Sequence, residues 1–158
     1  VTVPTTVRAS FTRPANATQY TAGNVVSTLA GALLQFQLMA GNGQIMTARL
    51  VDGANQATPG SFELYLFSAA PAVRADNAAL ALSAAEAATL IGVIPFVDTP
   101  YATNGGAGAA GNLTFCELSN LPFSIGPAGG FVIYGLLVVR NAYTPVSAET
   151  FAVQLGVI

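Results

Sequence analysis

Reactive side chains are scarce in this chain. Its charged groups are seven carboxylates (Asp52, Glu63, Asp76, Glu86, Asp98, Glu117 and Glu149) and five arginines (Arg8, Arg13, Arg49, Arg74 and Arg140), beside the single thiol of Cys116. There is no histidine and no lysine. Without an imidazole, a Ser-His-Asp triad, a Cys-His pair and a histidine zinc site are impossible. Without an amine, Schiff-base catalysis and the phosphate-loop lysine go as well. What survives is a carboxylate pair of the glycosidase kind. Glu63 and Glu117 fall in strand-like runs and are the best pair available. Strand alternation favours the competing arrangement, in which each faces solvent or an arginine such as Arg49 or Arg140.

Other constellations are weaker. Asp52 with Asn55, or Asp76 with Asn77, supplies too few oxygens for calcium. The glycine-rich residues 104–112 lack the Lys-Ser/Thr ending of a phosphate loop. Asn16-Ala17-Thr18 and Asn112-Leu113-Thr114 match the glycosylation pattern but gain meaning only behind a secretory signal. Tyr20, Tyr101 and Tyr143 lie in loops, where they could face a sugar or pack over a core edge. The chain therefore reads as a non-enzyme, with no catalytic residue, cofactor or metal.

Composition narrows the partners. Of 158 residues, 53% are hydrophobic and only 8% charged, with a net charge of −2. The arginines are scattered, so neither nucleic acid nor an anionic membrane surface finds a basic cluster. The N-terminal VTVPTTVRASF lacks a charged region followed by an apolar one, so no signal peptide is expected. The apolar run 129–139 is far shorter than the ~20 residues of a membrane helix. A surface this poor in charge suits a protein covered by partners or by copies of itself.

The elements that must position these residues follow a period of two, broken by glycine, proline and asparagine. TVRASF (6–11) reads as a first strand. LLQFQLM (33–39) and QIMTARLVD (44–52) follow, joined by AGNG as a hairpin-type turn. In the second of these, Ile45, Thr47, Arg49 and Val51 share one side, and Met46, Ala48 and Leu50 the other. SFELYLFS (61–68) is apolar on both faces, as an interior strand is. SAAEAATL (83–90) carries a capping box, Ser83 with Glu86, and predicts a two-turn helix. IGVIPFV (91–97) reads as an edge or bulged strand because Pro95 removes a donor. Residues 99–112 form a loop or arm. LTFCEL, with Cys116 as a buried inert thiol, FVIYGLLVVR and TFAVQLGVI supply the last strands. The expectation is an all-β, antiparallel β-sandwich, jelly-roll-like, with one short helix. Residues 1–158 read as one domain with an extended N-terminal segment of about residues 1–10.

Two segments carry a resemblance. Phe11-Thr12-Arg13-Pro14, then Ala15 to Thr18, Tyr20 and Ala22-Gly23-Asn24-Val25-Val26, with FELYLFSAAPAVRADNAAL (62–80) further on, resemble small virion proteins of tailed bacteriophages. Asp is commoner in that group where Asn24 stands here. The resemblance implies a head decoration, or cement, protein, made in the host bacterial cytoplasm and bound to the outer surface of the capsid. It implies the major capsid protein as partner and self-association, a homotrimer first and hexameric or pentameric caps otherwise. On that reading the N-terminal segment and the loop 99–112 reach the shell. Arg8, Arg13, Tyr20, Tyr101 and Asn104 are the candidate contacts. For Arg8 and Arg13 the competing reading is ordinary solvation, and for Arg13 also stacking on Tyr20 or a clamp inside the fold that pins the loop to the sandwich. A carbohydrate- or receptor-binding sandwich of a tail or fibre is the alternative function.

Overall fold

The computed structural model describes residues 4–54, 56, 60–96, 102–103, 112–126 and 130–158, with the backbone alone at 102–103 and 112–119. Within them run β1 (Thr5–Thr12), β2 (Val25–Val26), β3 (Leu34–Gln37), β4 (Asn42–Asp52) and β5 (Phe62–Phe67). After these come α1 (Ala84–Ala87), β6 (Leu90–Phe96), β7 (Ala102–Thr103), β8 (Asn112–Ser124), β9 (Val132–Val139) and β10 (Thr150–Val157). One sheet has the order β1-β10-β4-β8-β7, and the other β2-β9-β5-β6, with β3 also on β9. All pairings are antiparallel. If β2 and β3 count as one interrupted strand and the two-residue β7 is set aside, the sheets read 1-8-3-6 and 2-7-4-5. That is a jelly roll.

The interior forms because alternate residues of both sheets turn inward. Leu34, Phe36, Ile45, Ala48, Leu50, Phe62, Leu64, Ile94, Leu137, Phe151, Val153 and Leu155 meet in one cluster. Strand placement follows the sequence closely at two points. β5 lies between β9 and β6, as its two apolar faces require, and β6 with Pro95 is an edge. β10 sits between β1 and β4.

Three expectations need correction. AGNG does not close a hairpin, because β3 pairs with β9 while β4 pairs with β10 and β8. The turn carries the chain from one sheet to the other, which local turn chemistry does not distinguish from a hairpin. The two-sided pattern of β4 breaks at a register shift between Ile45 and Thr47. Against β10, where adjacent Gly156 and Val157 face Thr47 and Ile45, Met46 is the extra residue, so Ile45 turns inward with Ala48 and Leu50. The helix spans only Ala84–Ala87, since Leu90 already belongs to β6. Its capping box is formed as expected. The N-terminal segment, where described, forms the edge strand of the first sheet. Thr5 to Thr12 pair residue by residue with Val157 to Thr150.

The connection between β5 and β6 covers the outer face of the second sheet. Val25, Phe67, Leu136 and Val138 are buried there under Leu80 and Leu82. The cover is tied to β2 by Val25 N–H to the Ala78 carbonyl, 2.8 Å, and Asn77 N–H to the Val25 carbonyl, 2.9 Å. Gly31 marks how closely the two run: at φ +86°, a Cβ there would lie 2.7 Å from the Arg74 carbonyl oxygen.

Candidate functional site

The chemistry-bearing residues gather at one end of the sandwich, where β1 and β4 finish and β10 begins. The chain leaves β1 at Thr12 with its inward side already committed to the core. Arg13 therefore turns into the gap between the loops instead of into solvent, and is 2% exposed. Its Nε donates to the Tyr20 hydroxyl at 2.8 Å, and its Nη1 to the carbonyls of Asn16 and Val146 at 2.7 and 3.1 Å. Nη2 meets Asp76 Oδ2 at 3.2 Å. The Tyr20 hydroxyl in turn donates to Asp76 Oδ1, which also accepts the Ser27 N–H. Burial first, and then the Asp76 carboxylate, push the Tyr20 phenol far above its ordinary value, so it stays a donor.

A second tyrosine stacks on the first. The rings of Tyr20 and Tyr143 lie 6.3 Å apart at 11°, and their backbones bridge. Tyr143 donates its hydroxyl to Glu149 Oε1 at 2.5 Å, and Gln56 Nε2 reaches the same oxygen at 3.1 Å. Glu149 Oε2 accepts the Val146 N–H at 3.1 Å. Glu149 is 3% exposed, and Asp52, hydrogen-bonded to it, is fully buried. Asp52 Oδ1 accepts the Ala54 N–H at 2.8 Å. Burial, then the hydrogen bond and charge of Glu149, push the Asp52 carboxyl up to about 9.

The arrangement is a set of cross-links between loops. Every side-chain polar atom of Arg13, Tyr20, Asp76 and Glu149 is hydrogen-bonded to another part of the chain. Arg13 is thus the internal clamp, with its guanidinium 5.1 Å from the Tyr20 ring centre. Neither it nor Tyr20 is open to a partner. Tyr143 is equally buried, so the loop tyrosines Tyr20 and Tyr143 present no face to a sugar. Arg8 is exposed on the outer face of its sheet and remains available. Tyr101, Asn104, Asn55, most of the loop 99–112 and the side chains of Cys116 and Glu117 lie outside the described residues.

The carboxylate pair singled out in the sequence is not brought together along a sheet. Glu63 stands on β5 and Glu117 on β8, in different sheets. Glu63 instead pairs with Arg140 at 2.6 Å, one of the two arginines expected to take it. Asp76 is held by Arg13, Tyr20 and Ser27, which leaves it no role with Asn77 in binding calcium. Among the described residues, no three carboxylates or thiols converge as a metal site.

The two segments that carry the resemblance meet in space. Arg13 and Tyr20 hold Asp76, Asn24 Nδ2 holds the Asn77 carbonyl at 2.9 Å, and Val25 holds Ala78. Residues 13–25 and 76–78 are the two halves of one lock.

Sequence reasoning missed Asp52, Gln56 and Glu149. Asp52 carried a signal: it shares the parity of Ala48 and Leu50, the side that turns inward. Gln56 and Glu149 carried none, because their partners come from loops distant in sequence. At the opposite end, Thr5, Val7, Leu38, Met39, Phe123 and Ile158 line a mostly apolar recess of about 180 Å³. Met39 at its side is 85% exposed. No protein-family model matches the chain, and no curated protein matches it. Among the described residues, no helix is long and apolar enough to cross a membrane.

Proposed function

We propose that this chain is a virion structural protein, a capsid decoration protein that binds the outside of an assembled phage head and stabilises it. The observation that carries the reading is the strand order, a jelly roll of the kind that recurs in viral shell proteins. Fold alone admits other functions, lectins among them. Burial of Tyr20 and Tyr143 weighs against sugar binding through the loops. The mutual lock of residues 13–25 and 76–78 supports the resemblance, since both segments then act in holding the scaffold.

Such a protein works by binding rather than catalysis. It binds the assembled shell and not its free subunits, and so shifts the equilibrium toward the shell by mass action. Contacts repeated over a symmetric surface add through multivalency. The rigid sandwich supplies the scaffold, Arg8 a charge for shell carboxylates, and Met39 with its recess an apolar contact. Self-association as a closed trimer completes the reading.

The test is the mass of the purified chain in solution together with its rebinding to heads that lack it. A trimer that binds and raises the heads' heat tolerance is the expected result. A monomer that ignores heads and binds glycans would overturn it in favour of a receptor-binding sandwich.

A further inference from the structure

Asp52 and Glu149 are two buried carboxyl groups in hydrogen-bond contact at the corner between the loop after β4 and the loop before β10. Two carboxylates cannot hydrogen-bond to one another without a proton between them. Among the described residues, their other hydrogen bonds are as follows. Both Glu149 oxygens accept, from Tyr143, Gln56 and the Val146 N–H. Asp52 Oδ1 accepts from Ala54, and Oδ2 is buried with no donor among the described residues. That unpartnered oxygen is the place for an acid O–H.

Tyr143 comes from the loop after β9 and donates its hydroxyl to Glu149. Arg13, at the end of β1, gives its backbone N–H to the Glu149 carbonyl, but its guanidinium is taken by Asp76, Tyr20 and two carbonyls. Arg49, on β4, falls on the opposite face of its strand from Asp52. Among the described residues no cation forms an ion pair with either carboxyl. A proton is therefore the counter-charge.

We propose that Asp52 keeps a buried proton, given as a hydrogen bond to Glu149, which latches Asp52–Ala54 to the loop 143–149 and is released on the alkaline side, loosening that corner. The latch is independent of the shell reading. When the proton leaves, two negative charges face each other in a buried site, and the cheapest relief is for one loop to swing out. Ala148, at φ +56° beside Glu149, already holds a backbone conformation that L residues rarely adopt. That is the point at which the loop before β10 would turn.

The sign follows from the raised Asp52 carboxyl. Its contribution to stability is complete below the ordinary aspartate range. It shrinks as pH rises and is gone above about 9. Asp52→Asn supplies the same donor permanently, since its amide reaches Glu149 while its oxygen still accepts from Ala54. Melting the full chain from about pH 6 to about pH 9.5 should lower the wild-type transition relative to Asp52→Asn, with the variant the more stable at the alkaline end. In the wild type, protection of the Ala54 and Val146 amides, corrected for intrinsic base catalysis, should fall over the same range. Parallel pH profiles for the two proteins would overturn the proposal. So would calcium chloride restoring alkaline stability to the wild type alone, since a metal ion would then be the counter-charge. If Asp52→Asn does not fold, carboxyl carbon NMR of the wild type decides: an Asp52 signal that titrates in the ordinary aspartate range removes the latch.

Discussion

Two tyrosines stacked on one another give their hydroxyls to two buried carboxylates, yet the two corners are neutralised by different means. At Tyr20 the carboxylate of Asp76 faces Arg13, a cation that no accessible pH removes. At Tyr143 the carboxylate of Glu149 faces another acid, Asp52, and only a proton can stand between them. Similar ring geometry thus carries one corner that is indifferent to pH and one that responds to it. The difference teaches that a buried polar network is defined by its counter-charge more than by its hydrogen-bond count.

The comparison can be broken first at the cation. Arg13→Met leaves Asp76 buried beside a phenol without its counter-charge, and should cost about 3–5 kcal/mol in chemical denaturation. Arg13→Lys should recover only a part, because one ammonium cannot reach Tyr20, Asp76 and two carbonyls together. Full recovery by lysine would mean that charge alone holds the clamp.

Removing each hydroxyl sharpens the contrast. Tyr143→Phe takes a donor from a carboxylate that has no cation, and should cost about 1–3 kcal/mol at neutral pH. Tyr20→Phe should cost less, about 1 kcal/mol, since Asp76 keeps Arg13 and the Ser27 N–H. Equal losses in denaturant melts would show that the counter-charge does not matter.

A third ion pair, partly buried near the surface, provides a control. Arg74, backed by the N–H groups of Ser83 and Ala72, holds the Glu86 carboxyl well below the usual carboxylate range. Its contribution is present above the ordinary glutamate range and lost as pH falls through the depressed value, the reverse of Asp52. The gap in melting temperature between the wild type and Glu86→Gln should therefore be largest near neutrality and close in strong acid. A gap that does not vary with pH would mean that the pair adds nothing by its charge.

The smallest effect is expected at Ala148. Glycine relieves the positive φ but loses more backbone freedom on folding, a cost of about 0.5–1 kcal/mol, so Ala148→Gly should come out near zero. A large stabilisation in the same melts would mark real strain at the proposed turning point.

Much of the scaffold was legible in advance because it is local. Alternation in Leu34, Phe36 and Leu38, the apolar faces of β5, Pro95 at an edge and the Ser83–Glu86 box depend on neighbours within a few residues. The bulge at Met46 was not legible, since the shift is set by strands β8 and β10. The site was legible only in its halves. Arg13 and Tyr20 stood out, and Asp76 lay in a segment already marked, but nothing local says that they meet.

By itself, then, the sequence determined the class of structure and the chemistry available to it. Two-residue periodicity makes strands, and a chain without histidine or lysine has carboxylates and arginines alone for buried charge. Tertiary structure decided which carboxylate meets an arginine and which meets another acid. Those pairings join Arg13 to Asp76 and Asp52 to Glu149 across 63 and 97 residues, counting from one number to the other. Only the closure of two sheets over a common core brings such distant loops within hydrogen-bond reach.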